Sequence, residues 1–256
     1  MNQIIDGPDF IGVGAAKSGT TWWYELLNEH PQIVKPYGSI KQASFFNRFE
    51  KEIPEKELTN YRGLFNHDKD FVCGEWTPRY MYDHYSMSLI YRYFPEAKIF
   101  ILLRNPLHRL RSGINWHLIE SGPGKFPNLE AYYDSDTCHH WPINIGDAIA
   151  RSMYWTQLRQ IKYLFPQENI HLMQFEKCLI NTTENLKECF QFLGVDPDFQ
   201  VKNSKYPKNV SNYVYDIMDD PLLVNGMINI LRSDVEKLAN DWQEIELELW
   251  PEFADL

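Results

Sequence analysis

Residues Phe10 to Leu27, FIGVGAAKSGTTWWYELL, constrain this chain more than any other stretch. Phe10 to Val13 is an apolar run long enough for one buried strand, and Thr20 to Leu27 has the apolar spacing of a helix. Between them lies the turn Gly14-Ala15-Ala16-Lys17-Ser18-Gly19. A glycine-bearing turn that runs from a strand into a helix start leaves backbone N–H groups unpaired and pointing outward, which binds anions. Lys17 adds a mobile positive charge, and Ser18, Thr20 and Thr21 add hydroxyl donors. The stretch is a phosphate cradle.

Several cradles share this outline. The nucleotide-triphosphate loop G-x-x-x-x-G-K-[ST] is approached by Gly12 to Ser18, which is one residue shorter and has Ala16 at the second glycine. Downstream, a surface helix is expected over 54–65, a strand over Phe71 to Gly74, and a helix from Asp83 to Phe94, ended by Pro95. Lys98 to Leu103 is continuously apolar after its lysine, as befits a parallel strand covered on both faces. A nucleotide triphosphatase places an Asp at such a strand end to help hold magnesium. Here Arg104 follows, then Asn105-Pro106 and a helix bearing Arg109, Arg111 and Ser112. A guanidinium ligates anions and repels a metal, so this position suits a phosphate.

Two motifs carry a resemblance. The run K-S-G-T-T-W-x-x-x-L-L resembles the phosphosulfate loop of sulfotransferases that use 3′-phosphoadenosine 5′-phosphosulfate (PAPS), and R-N-P-x-x-R-x-x-S resembles their 3′-phosphate motif. Weaker matches extend from Ala150 to Val195. The resemblance implies an α/β fold with a central parallel sheet flanked by helices, and PAPS as donor with no metal. It assigns donor binding to Lys17, Ser18, Gly19, Thr20, Thr21 and Trp22, and to Arg104 and Ser112 for the 3′-phosphate. Val201 to Pro207 resembles the family's late basic loop without its Lys-Gly pair, so only Lys205 is carried over. The implied reaction is in-line sulfuryl transfer to a hydroxyl or amine, with Lys17 supplying the cation at the leaving oxygen. A small-molecule kinase and an inactive binder of the product, 3′-phosphoadenosine 5′-phosphate (PAP), are the other readings.

The departures concern the base. Carbohydrate sulfotransferases of this type often carry K-E-x-H-F-F, where this chain has Lys41-Gln42-Ala43-Ser44-Phe45-Phe46. Their glutamate takes the acceptor's proton; an amide such as Gln42 does not do so near neutral pH. The family's G-E-K-T-P is Gly74-Glu75-Trp76-Thr77-Pro78, so a second lysine is missing. Glu75, Asp83, His84 and His117 are the candidate bases.

Composition bounds the rest. A length of 256 residues suits one α/β domain, with 120–145 as a lid or acceptor loop and 212–256 as a helical cover. Helical spacing runs from Gly146 through Leu164, Ile170 to Glu176 suits a strand, and Thr182 or Thr183 can cap a helix stopped by Gly194. No apolar run approaches the ~20 residues of a membrane span. The start, MNQIIDGPDF, has no signal-peptide pattern. Cys73, Cys138, Cys178 and Cys189 are widely spaced, as expected of reduced thiols in the cytoplasm. Cys138-His139-His140 lacks the spaced ligands of a zinc site. The net charge of −10 argues against nucleic acid or a polyanionic glycan as partner. With aromatic-rich segments at 76–85 and 132–141, it suits a small, partly cationic acceptor, and the resemblance extends to bacterial enzymes that sulfate natural products.

Overall fold

The computed structural model describes residues 4–5, 7–120, 141–202 and 216–256. In chain order come strands β1 (Ile4–Ile5) and β2 (Phe10–Gly14), helix α1 (Thr20–Leu27), β3 (Ile33–Val34), α2 (Glu55–Arg62), β4 (His67–Asp68) and β5 (Val72–Trp76). Then follow α3 (His84–Tyr93), β6 (Lys98–Leu103), α4 (Pro106–Glu120), α5 (Trp141–Ala150) and α6 (Tyr154–Leu164). Last are β7 (Ile170–Gln174), α7 (Phe175–Ile180), α8 (Thr182–Leu193) and α9 (Pro221–Asp241). The chain divides into two compact units, one of residues 1–103 and 157–208, the other of 104–156 and 209–256. Helix α6 crosses the division.

The first unit is built on a five-stranded parallel sheet in the order β3-β5-β2-β6-β7, with a small antiparallel pair, β1 and β4. Strand β2 is its middle, with Ile11 opposite Glu75 on one side and Ile99 on the other. All of β2, and β6 from Ile99 to Leu103, are buried, the pattern a continuous apolar run produces when both faces are covered. Phe10, Trp76, Phe100 and Leu102 share one apolar layer with Trp22 and Trp23 of α1 and Phe190 of α8. Full burial of one such side chain contributes roughly 1.5–3 kcal/mol, so this layer anchors the loop that joins β2 to α1.

In the second unit, Asn105 caps α4: its Oδ1 accepts the N–H groups of Leu107 at 3.0 Å and His108 at 3.2 Å. Its amide donates to Glu252 Oε2 at 2.6 Å. Arg109 is buried, with Nη1 donating to the Ala148 carbonyl at 2.5 Å and Ser152 Oγ at 3.0 Å. Helix α9 begins with Pro221 after a capping Asp220, whose carboxylate accepts the N–H groups of Leu222 and Leu223.

Three local expectations change. The helical spacing from Gly146 to Leu164 belongs to two helices, α5 and α6. The break at Ser152 is stabilised from afar: Asp234 of α9 accepts the N–H groups of Trp155 at 2.9 Å and Thr156 at 3.1 Å and so restarts the helix. Strand β7 ends at Gln174, and Phe175 and Glu176 open α7. The cap expected of Thr182 or Thr183 before α8 is not made by Thr182, whose hydroxyl donates back to the Cys178 carbonyl at 2.8 Å, while Gly194 ends the helix at φ +80°. Most of the anticipated lid at 120–145, including Cys138 to His140, lies outside the described residues. So do Lys205 and the first residues of the 212–256 cover.

Candidate active site

The turn after β2 sits at the carboxyl edge of the parallel sheet, where open α/β sheets bind ligands. The N–H of Ala15 donates to the Leu102 carbonyl at 2.9 Å, pinning the loop to β6. Lys17 adopts φ +69° and Gly19 φ +84°, two left-handed residues that fold the chain back into α1. Gly19 is obligatory on a second count, because a Cβ there would lie 2.5 Å from Phe175 Cε2. Helix α1 has no side-chain cap, and the first N–H groups of a helix have no intrahelical acceptor.

Three buried polar atoms at this helix start have no hydrogen-bond partner among the described residues: Ser18 Oγ, Trp22 Nε1 and Trp23 Nε1, the two indoles lying in the apolar layer. Buried polar groups in native proteins are paired, so such atoms mark a place completed by a ligand or water. Thr20 is buried and Thr21 exposed on the same turn. The residues expected to hold a phosphosulfate, Lys17 through Trp22, therefore come together, and their chemistry fits an anion.

Lys41, which sequence reasoning passed over except as a motif letter, joins them. Its Nζ donates to Thr20 Oγ1 at 3.3 Å and Thr21 Oγ1 at 3.1 Å. The sequence signal was the lysine of the K-E-x-H-F-F pattern, but nothing in the spacing ties position 41 to 20 and 21. Gln42 beside it is exposed and donates to Ser44 Oγ at 3.2 Å.

Glu75 is fully buried and saturated. Tyr80 at 2.7 Å and Tyr61 at 3.1 Å donate to Oε1, and Thr77 at 2.5 Å and the Ala43 N–H at 3.0 Å to Oε2. Burial raises its pKa while all four donors pull it down. The carboxylate ties the turn at 41–45 to β5.

His84, the first residue of α3, follows a segment fixed to the same sheet edge by Thr77 N–H to the Gly12 carbonyl and Met81 N–H to the Val13 carbonyl. The imidazole is exposed, with Nδ1 2.8 Å from Gln160 Oε1. The amide of Gln160 donates to the His84 carbonyl and Ser88 Oγ, so its oxygen faces the ring. Nδ1 is then the donor and Nε2 the proton acceptor. Asp83 is engaged as the cap of α3, accepting the Tyr85 N–H at 3.1 Å. His117 lies on α4 and its side chain is outside the described residues.

Arg104 and Ser112 belong to the second unit, and both are partly buried. Arg104 directly follows the end of β6, and its carbonyl accepts the Tyr154 hydroxyl at 3.0 Å. Ser112 lies two turns along α4. The neighbouring guanidiniums have structural roles: Arg109 is packed against α5, and Arg111 pairs with Asp216.

A parallel sheet flanked by helices, with a glycine-bearing turn leading into an uncapped helix at its carboxyl edge, defines an α/β protein. The sulfotransferase domain model matches residues 7–220, and the chain belongs to that family. A solved sulfotransferase from Alicyclobacillus acidocaldarius is similar at a TM-score of 0.69 and 25% identity, covering 94% of this chain and 98% of that one. The sulfotransferase domain of the Synechococcus PCC 7002 olefin synthase shares the fold at a TM-score of 0.56 and 14% identity, over 94% and 96% of the two chains. The membrane-associated sulfotransferase kil1 of Dictyostelium discoideum is 28% identical over 93% of this chain and 66% of its own length. Heparan sulfate glucosamine 3-O-sulfotransferase 5 of Mus musculus is 27% identical over 74% and 54%. The chain thus spans two-thirds or less of these two relatives. Among the described residues no helix is long and apolar enough to cross a membrane.

Proposed function

We propose that this chain moves a sulfuryl group from PAPS to a hydroxyl or amine of a small, partly cationic acceptor. The observation that carries the donor assignment is the helix start of α1, where the Ser18 hydroxyl is buried without a partner beside the Lys17 turn. Lys17, the Ser18 hydroxyl and the N–H groups of Gly19 to Trp22 receive the 5′-phosphosulfate, and Arg104 and Ser112 receive the 3′-phosphate. In the transfer, the bond from sulfur to the bridging phosphate oxygen breaks as the bond to the acceptor forms, and PAP leaves. Negative charge grows on that oxygen, where Lys17 and the Thr20 and Thr21 hydroxyls stabilise it without a metal.

His84 is the base in this reading, because its Nε2 is the lone-pair nitrogen of an exposed ring. Glu75 is a brace. Three of the four cysteines, Cys73, Cys178 and Cys189, are buried without disulfides, which supports a reducing, cytoplasmic setting. The net charge of −10 supports a cationic acceptor of the kind found among natural products. A glycan acceptor is the second reading, favoured by the relative named for heparan sulfate.

The test is titration of the chain with PAP, and with ATP plus magnesium, followed by labelled transfer from PAPS. The acceptor panel spans polysaccharides, phenols, steroids, and cationic alcohols and amines. Binding of PAP without magnesium, and transfer to a guanidinium or amine acceptor that falls as salt rises, are expected. Selective binding of ATP with magnesium overturns the donor. Preference for a polyanionic glycan overturns the acceptor, and PAP binding without transfer to any acceptor reduces the protein to a binder.

A further inference from the structure

Lys41 stands at a helix start, where the backbone dipole taken alone disfavours a cation. Its ammonium donates to Thr20 and Thr21 on the first turn of α1, the positive end of the helix dipole. Nothing about the 41–45 turn requires a charge there, since the turn is already held by Glu75 through the Ala43 N–H, by Thr77 through the Ser44 N–H, and by Tyr80 through the Phe45 N–H. The Lys41 carbonyl accepts the Trp76 N–H at 2.7 Å, which fixes the backbone at 41 beside position 76. Trp76 itself is fully buried, its Nε1 donating to the Gly14 carbonyl at 3.3 Å, so β5 brings no charge to this end of the sheet from that position. The turn at 41 does.

We propose that Lys41 is a second cation of the phosphosulfate subsite, and that anion binding at the start of α1 and proton uptake by Lys41 are one coupled event. The proposal rests on the reading of the Lys17 loop as the donor site. A further observation points to an anion there: the hydroxyl of Ser18 is fully buried with no partner among the described residues. Burial holds the Lys41 ammonium down to about 8, against the pull of Glu75 on β5 and Glu25 on α1, which both act to keep it charged. A phosphate brought against Thr20 and Thr21 adds the opposite charge at close range and restores an ordinary lysine. Lys41 is thus neutral in a fraction of molecules above pH 8 and charged in the complex.

The experiment is isothermal titration of the chain with PAP at pH 7 and pH 9, each in two buffers of different ionisation enthalpy. The phosphates of PAP are fully ionised at pH 9 and take up no proton themselves. Linkage from about 8 to the ordinary value of 10.5 predicts uptake of about 0.9 proton per PAP at pH 9 and about 0.1 at pH 7. The same linkage makes PAP bind about tenfold more weakly at pH 9 than at pH 7. Lys41→Gln should abolish the uptake at pH 9. Should that variant not fold, Lys41→Arg keeps the charge in a group that does not titrate, and its PAP binding should show no uptake. Buffer-independent heat in the wild type at pH 9, or uptake that persists in either variant, overturns the role of Lys41 while leaving the donor reading intact. No PAP binding at either pH is the separate signature of a failed donor reading, and it removes both.

Discussion

In the proposed reaction Lys17 carries the largest expected effect of any single side chain, because the charge it would meet exists only while the sulfur–oxygen bond is breaking. Lys17→Ala should lower kcat on the order of 100-fold or more and leave the acceptor KM nearly unchanged, the pattern of a lost transition-state contact. Initial rates with labelled PAPS measure it, and a loss of only a few-fold would take the cation's role away from Lys17. Arg104→Ala should weaken PAP more than adenosine 5′-phosphosulfate, which has no 3′-phosphate; equal losses in paired titrations would contradict the assignment. Glu75→Gln separates a brace from a base. An amide places N–H groups against some of the four donors at 2.5 to 3.1 Å, which costs about 1–3 kcal/mol. Thermal melts should show that loss while the folded fraction keeps the wild-type pH dependence of kcat. A vanished acidic limb would instead make Glu75 the base. At this scale Lys17 and Arg104 are readable from sequence as candidates because the chemistry proposed for them follows from neighbours in sequence. The contacts of Lys41 and half of those of Glu75 are not, since Lys41 meets residues 20 and 21 positions away and Glu75 takes Tyr61 and the Ala43 N–H from 14 and 32 positions away.

The elements that sequence spacing resolved are those whose stability is local. Strand β6 reads directly from its unbroken apolar run, and α3 from a capping Asp83 followed by helical spacing. The break between α5 and α6 was hidden because its cap, Asp234, lies 79 residues from the Trp155 N–H it accepts. Periodicity carries no trace of such a partner. The turn into α1 is the opposite case, since Gly19 combines a positive φ with a close approach that a motif can encode. Gly19→Ala should destabilise the chain by roughly 1–3 kcal/mol, from backbone strain at φ +84° and from a Cβ 2.5 Å from the Phe175 ring. Denaturant unfolding measures this, together with a weakened affinity for PAP. Adding Phe175→Ala should return the steric part and leave the strain, so the double variant should cost less than the sum of the two single changes. Strict additivity would mean that the ring and the glycine do not share the space.

For the molecule as a whole, acid acts on stability through groups held below their ordinary pKa by the fold. His171 on β7 is held down to about 4 by burial, stacked on Phe192 with its Nε2 3.6 Å from Cys189 Sγ. In the unfolded chain it takes a proton near 6.5. Above that pH neither state is protonated and the group is silent. Between 6.5 and about 4 only the unfolded state gains the proton, so stability falls; below about 4 the loss is complete, on the order of 3 kcal/mol. In the second unit, Glu252 is depressed to about 2, first by His108 and then by Asn105. Its contribution is full above the ordinary carboxylate value of 4.5 and is lost progressively between there and about 2, below the pH at which the His171 loss begins. Acid should therefore act first through the sheet that carries the Lys17 loop. His171→Phe keeps an aromatic ring against Phe192 and Phe100 and removes the titration. Equilibrium unfolding from pH 7 to pH 4 should show the wild type losing stability across this range and the variant losing about 3 kcal/mol less of it. Parallel losses in both proteins would place the acid-sensitive group elsewhere.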